Sequence, residues 1–153
     1  MSKQRVLAAG KFDILHLGHI AYLRQAKELV GKKGELVVII ARDDTIKKER
    51  GAPPVFPQEQ RRAIVQALEM VDEALIGYKT SDHCTIVVDV NPHILALGYD
   101  QEADTDSLER CFKENNMKTR IIRLEKREAD GFCSSTQIRK RILDYYRENG
   151  RVR

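Results

Sequence analysis

At 153 residues the chain suits a single domain, 1–153, large enough to bury a proper core. A net charge of +4 fits a small anionic ligand, whereas a nucleic-acid binder would gather its basic residues in one block with aromatics between them. No apolar run reaches membrane-span length and Met1-Ser2-Lys3-Gln4-Arg5 carries no signal-peptide pattern, while the odd, scattered cysteines Cys84, Cys111 and Cys133 argue against a disulfide framework and for a reducing cytoplasm.

Val6-Leu7-Ala8-Ala9 reads as a short buried strand, and Ile20 to Val30 has apolar residues at helical spacing. Between them lies Gly10-Lys11-Phe12-Asp13-Ile14-Leu15-His16-Leu17-Gly18-His19, where a first parallel strand hands over to the first helix. In open α/β sheets ligands bind at the carboxyl ends of strands, and a helix N-terminus attracts phosphate. His16 and His19 can donate hydrogen bonds to phosphoryl oxygens that gain charge during transfer, and Gly18 leaves room for a ligand to approach the backbone. An ordinary strand–turn–helix with a capping histidine is the plain alternative. A zinc site is weaker still, since only Asp13 stands near as a third ligand and no cysteine is close.

Glu35 to Ala41 is a near-continuous apolar, β-branched run, the pattern of a strand covered on both faces. Arg42 to Arg50 follows its carboxyl end as a mobile loop carrying Lys47 and Lys48, and Gly51-Ala52-Pro53-Pro54 forces a further loop. A helix runs from Pro57 to Leu68, then a strand from Glu73 to Gly77. Asp82 to Val90 favours a strand by propensity at Ile86-Val87-Val88, yet the βα alternation wants a helix, which is the expectation here. His93 to Gly98 is the fourth strand, Thr105 to Asn115 a polar helix, and Arg120 to Leu124 the fifth strand. The last helix starts at Ser134 or Ser135, with Ile138, Ile142, Leu143 and Tyr146 on one side and Arg139-Lys140-Arg141 on its solvated face. The expectation is a doubly wound α/β domain with five parallel strands.

If the first turn holds a triphosphate, the other strand ends should supply its partners. Lys47 could reach the leaving pyrophosphate, or belong to a solvated loop. Arg61 or Arg62 could meet a phosphate, or pair with Glu59 or Glu69 at the surface. Asp100 could accept from a ribose hydroxyl or help hold Mg²⁺, or simply form a turn. Ser134, Ser135 and Thr136 open a helix and could contact phosphate, though N-capping explains them too.

The decade from Gly10 to His19 resembles the G-x-F-D-x-x-H-x-G-H motif of the HxGH nucleotidyltransferase superfamily, in its cytidylyltransferase-like branch. Similarity runs over nearly the whole chain, and Ser134-Ser135-Thr136-Gln137-Ile138 is similar to that branch's S-[ST]-[ST]-x-I phosphate contact. Ala41 to Lys48, Pro57 to Arg62 and Leu97 to Gln101 look most like archaeal FAD synthetases, which adenylylate FMN. The resemblance implies a Rossmann-like fold, ATP (or CTP) and FMN as substrates, a divalent metal (Mg²⁺) accompanying the nucleotide with no protein-held metal, and catalytic roles for His16, His19 and Lys47. It implies nucleotide contacts from Lys11, Phe12, Leu17, Gly18, Asp100, Arg127 and the Ser134–Thr136 run, with Arg61 on the acceptor phosphate. A cytoplasmic homodimer that binds neither nucleic acid nor membrane is expected.

Two departures matter. Glycerol-phosphate cytidylyltransferases, the nearest rival, carry an arginine where this chain has Glu69, which counts against a glycerol phosphate acceptor. Their R-T-x-G segment matches Arg127-Glu128-Ala129-Asp130-Gly131 without its threonine. A third possibility is a regulatory protein that binds nucleotide without turnover, and retention of both histidines speaks against it. A tRNA-synthetase fragment fails on length and on its missing second lysine-rich signature. Cys133 stands near the serines, as cysteines do in archaeal FAD synthetases where they make activity redox-sensitive; a small buried hydrophobe is the ordinary reading.

Overall fold

The computed structural model describes residues 3–80, 82–127 and 129–151, so Met1, Ser2, Ser81, Glu128, Val152 and Arg153 lie outside the described residues. Five strands, β1 (Arg5–Gly10), β2 (Glu35–Ile40), β3 (Glu73–Ile76), β4 (Ile94–Leu97) and β5 (Arg120–Arg123), form one all-parallel sheet in the order β3-β2-β1-β4-β5. The crossovers carry α1 (Leu17–Glu28), α2 (Asp43–Arg50), α3 (Gln58–Gln66), α4 (Cys84–Val90) and α5 (Thr105–Glu114), and α6 (Ser135–Asn149) follows the last strand.

The sheet separates two cores because successive strand residues face opposite ways. Val6, Ala8, Leu36, Val38 and Ile40 pack with Leu23 and Ala26 of α1 and Val65 of α3. Leu7, Val37, Ile39, Leu95 and Leu97 pack with Ile86, Val87 and Val90 of α4 and Phe112 of α5. That is why β2 is apolar at nearly every position. The alternation also decides the ambiguous stretch: Ile86, Val87 and Val90 form a helix face, as the connectivity required.

Three expectations are corrected. The stretch after β2 is no loop: Asp43 and Asp44 open α2, Lys47, Lys48 and Arg50 close it, and Gly51 caps it at φ 79°. Only Ile46 anchors it, so the apolar periodicity was too thin to show in sequence. Second, Cys84 on α4 and Cys111 on α5 are joined by a disulfide, with Cα atoms 5.8 Å apart. The two helices meet over one face of the sheet, which spacing alone does not reveal, and Cys133 stays free. Third, the apolar side of α6 is bare, with Ile142, Leu143 and Tyr146 exposed at 48%, 64% and 51%. Among the described residues no helix is long and apolar enough to cross a membrane.

Candidate active site

β1 ends at Gly10, and the chain then turns sharply through two left-handed residues, Phe12 at φ 51° and Ile14 at φ 52°. Neither is glycine and Ile14 is β-branched, so the turn is strained and must be held by its surroundings. Asp13 does much of the holding. It is buried, and its two oxygens accept from Val55 N at 2.8 Å and Phe56 N at 3.0 Å, with the Arg50 guanidinium 3.6 Å away. Its carboxylate anchors the loop before α3, which leaves no third ligand for the zinc reading.

His16 caps α1. Its Nδ1 accepts from Gly18 N at 3.1 Å and His19 N at 3.4 Å, while His19 Nδ1 accepts from His16 N at 3.3 Å. Two histidines thus build a reciprocal capping box, so the capping and catalytic readings of this turn are both met by the same rings. Because each Nδ1 accepts, each neutral ring carries its proton on Nε2. Neither Nε2–H is taken by a protein acceptor among the described residues. The rings stack with centroids 3.7 Å apart at 21°.

Burial lowers the pKa of both imidazoles. For His19 it falls to about 3, with desolvation first, the nearby His16 second, and Asp13 opposing them. Both rings are therefore neutral donors near pH 7. The sign for stability follows: between about pH 6.5 and pH 3 the unfolded chain binds protons that folded His19 refuses. His19's contribution is complete above pH 6.5 and is lost as pH falls, by at most about 1.4 kcal/mol per unit. Urea melts from pH 7 to pH 5 should show this slope in the wild type and a flatter one in His19→Gln. Parallel curves for the two would sink the assignment. Among the described residues the carboxylates with lowered pKa, Glu28 beside Arg127, Asp72 beside Lys27 and Asp104 beside Ser107, lose their contribution only below the ordinary carboxylate range.

α6 begins beside α1. A Cβ built on Gly18 would lie 2.5 Å from the Cys133 carbonyl oxygen, so the room expected there for a ligand is taken by this chain's own backbone. The glycine lets two helix N-termini converge, which concentrates unpaired N–H groups and positive potential. Ser134 Oγ accepts from Gln137 N at 3.1 Å as the α6 N-cap. Ser135 and Thr136 hydroxyls each accept from the Arg139 guanidinium at 3.3 Å. Leu15, Leu17, Ile20, Phe132 and Ile138 line an open apolar groove beside His16.

The remaining candidates divide. Lys47 and Lys48 stand exposed on α2 with no ion-pair partner among the described residues, while Lys11 pairs with Glu49 at 3.1 Å. Asp100 is exposed in the turn after β4. Arg61 is not at the surface: it is 1% exposed, and its donors go to Phe56 O at 2.9 Å, Lys11 O at 2.6 Å and Asp43 Oδ1 at 2.7 Å. A guanidinium so committed braces the site, and it replaces the acceptor contact expected for it. Arg127 is elsewhere too. It grips Glu28 through two hydrogen bonds, 3.0 and 2.7 Å, at the far end of α1, about 18 Å from His16 at 1.5 Å per helical residue.

Sequence reading missed Arg42, Tyr22 and Gln101. Arg42 donates to Gly77 O at the carboxyl end of the sheet and keeps a buried Nε with no partner. Tyr22 and Gln101 join β1 to β4 from above. Their partners are backbone atoms, which leave no trace in sequence.

Residues 7–141 match the profile described as cytidylyltransferase-like. The chain is 41% identical over 140 residues to the FAD synthase of Archaeoglobus profundus, covering 92% of this chain and 86% of that one. It is 39% identical over 144 residues to the FAD synthase of Methanopyrus kandleri, covering 94% and 95%. Among solved structures, one described as a lipopolysaccharide core biosynthesis protein from Thermoplasma volcanium is similar at a TM-score of 0.75 and 40% identity, over 83% of this chain and all of that one.

Proposed function

The chain belongs to the cytidylyltransferase-like family, and from that membership we propose that it transfers the AMP of ATP to FMN, giving FAD and pyrophosphate. The observation that carries the reading is identity near 40% to FAD synthases across more than nine-tenths of the chain. The paired Nε2–H donors of His16 and His19, set where two helices begin, support the same chemistry.

A phosphate oxygen of FMN attacks the α-phosphorus of ATP. The new P–O bond forms in line with the bond to the β-phosphate bridging oxygen, which breaks and leaves as pyrophosphate. A phosphate monoester is already anionic near neutral pH, so the chain need supply neither nucleophile nor base. Its work is positioning and charge stabilisation. His16 and His19 donate to the α-phosphate oxygens as their charge grows, and the backbone at Lys11, Phe12 and Leu17 cradles the nucleotide, while Gly18, closed off by the Cys133 carbonyl, serves only to bring the two helix starts together. Ser134, Ser135 and Thr136 meet its phosphates at the start of α6, with Asp100 near the ribose. Lys47, on a helix rather than a loop, is held at a fixed distance to receive the leaving pyrophosphate.

Among the described residues no three His, Cys, Asp or Glu side chains come together to hold a metal. Mg²⁺ would accompany the nucleotide on its phosphate oxygens, supplying charge neutralisation. The groove from Leu15 to Ile138 offers the apolar wall a planar ring needs, with Phe132 as its aromatic member. Arg42, with its unmet Nε, takes the acceptor-phosphate role that Arg61 cannot. Use of ATP supports a cytoplasmic location, an argument the cysteines no longer make now that Cys84 and Cys111 are joined. We also assign the bare face of α6, where Ile142, Leu143 and Tyr146 stand exposed, to a second copy of the chain. Sedimentation of wild type against Leu143→Glu reads that directly, and a wild-type monomer at micromolar concentration would dismiss it.

The test is to incubate pure protein with Mg²⁺, crossing ATP or CTP with FMN or glycerol phosphate, and to identify products by mass. FAD from ATP and FMN is expected. CDP-glycerol with no FAD would overturn the substrate assignment and leave the family standing.

A further inference from the structure

The ladder between β1 and β4 ends at Ala8 and Ala96, although β1 continues beside β2 to Gly10 and Ile40. The strands part at the point where the sheet's order reverses, the usual ligand crevice of open α/β sheets. The backbone groups of the missing rung are not left bare. The Tyr22 hydroxyl donates to Ala96 O at 2.7 Å and accepts from Ala9 N at 3.3 Å. The Gln101 amide donates to Ala9 O at 3.2 Å, and its Oε1 accepts from Gly98 N at 3.1 Å. Hydroxyl and Oε1 stand 3.4 Å from each other. A tyrosine and a glutamine therefore replace one rung of the sheet, so the strands separate without orphaned backbone. Burial raises the pKa of the Tyr22 hydroxyl, which keeps its proton for this bond.

Tyr22 is also the foot of a stack. It lies one turn after His19 on α1, and its ring is parallel to Phe12 within 11°, centroids 6.4 Å apart. Phe12 is 5.1 Å from His19, and His19 is 3.7 Å from His16. Four rings in contact run from the strand ends to the outer histidine. Phe12 is buried in a strained backbone conformation, so its ring has little freedom of its own.

We propose that Tyr22 and Gln101 are positioning residues: they wedge β1 from β4 at the strand reversal and, through Phe12, fix the rings of His19 and His16 for transfer. The kinetic part rests on the transferase reading above; the ring geometry does not. Neither residue is assigned a contact with substrate. An ordinary core tyrosine would contribute to stability alone, and this is the distinction to test.

Tyr22→Phe removes one oxygen and keeps the ring on Phe12. The expected result is a fall in kcat of roughly 10- to 100-fold per folded molecule, with KM for ATP changed less than about threefold. The imidazole ¹⁵N resonances of His16 and His19 should shift in the same variant without substrate. Where Tyr22→Phe fails to fold, Gln101→Ala carries the same test from the loop side. Unchanged kcat per folded molecule with unmoved histidine signals overturns the proposal. If wild-type protein makes no FAD but the histidine signals move, the transferase reading falls and the ring positioning is supported.

Discussion

His19→Ala lowers kcat by two to three orders of magnitude, roughly the effect of removing one preorganised donor from a site where charge develops. KM for ATP changes far less, because the donor acts mainly on the transition state. His16→Ala is expected to match it in rate but to confound it with folding, since His16 Nδ1 also caps α1. Losing an N-cap costs about 1 kcal/mol. His16→Asn separates the two roles: asparagine caps well, yet its short side chain cannot present a donor where Nε2 stands. The expected outcome is stability near wild type with kcat still down at least about a hundredfold. Single-turnover quench of FAD formation measures the chemical step directly. Near-wild-type turnover in His16→Asn would show that the ring is only a cap.

That double duty explains why the histidines were legible in sequence and much of their setting was not. The motif is local: strand, turn and helix start lie within one decade of residues, and its chemistry needs residue types that sequence displays. The βα alternation was readable for the same reason, since each strand of β2's kind announces itself by composition. What failed was non-local or thinly patterned. Asp13 finds its partners 42 and 43 residues away, and Arg127 finds Glu28 at a separation of 99. Gly18 looked like space for a ligand because nothing in the sequence puts Cys133 against it. α2 has one buried side chain, too few to show a period. α6 has the reverse fault: its apolar stripe reads as a buried face, and no residue of it is buried in the single chain.

Arg61 carries the second large effect, and it is one of stability. Among the described residues it is the one arginine in the interior, and it ties three segments that sequence keeps far apart. Lys11 belongs to the strained turn after β1, Phe56 to the loop held by Asp13, and Asp43 to the start of α2. Arg61→Met fills similar volume but strands two half-buried carbonyls and the Asp43 carboxylate. Removing one member of a buried charge pair costs 3–5 kcal/mol in typical cases. Asp43 is 38% exposed in its side chain and can recover water, which places the expected loss near the bottom of that range, about 3 kcal/mol. For a chain of this size that is a fall in Tm of roughly 6–12 °C. Arg61→Lys should recover only part, since one ammonium cannot reach three acceptors in different directions. Asp43→Asn in the Arg61→Met background should cost little more, because the charge it removes has already lost its partner. Activity falls as well, but through kcat more than KM for FMN, as Lys47 drifts with α2. If Arg61→Met kept wild-type Tm and raised only KM for FMN, the arginine would be an acceptor contact after all. The buried geometry argues for the brace: a guanidinium already giving three hydrogen bonds to its own chain has no exposed face to offer a phosphate.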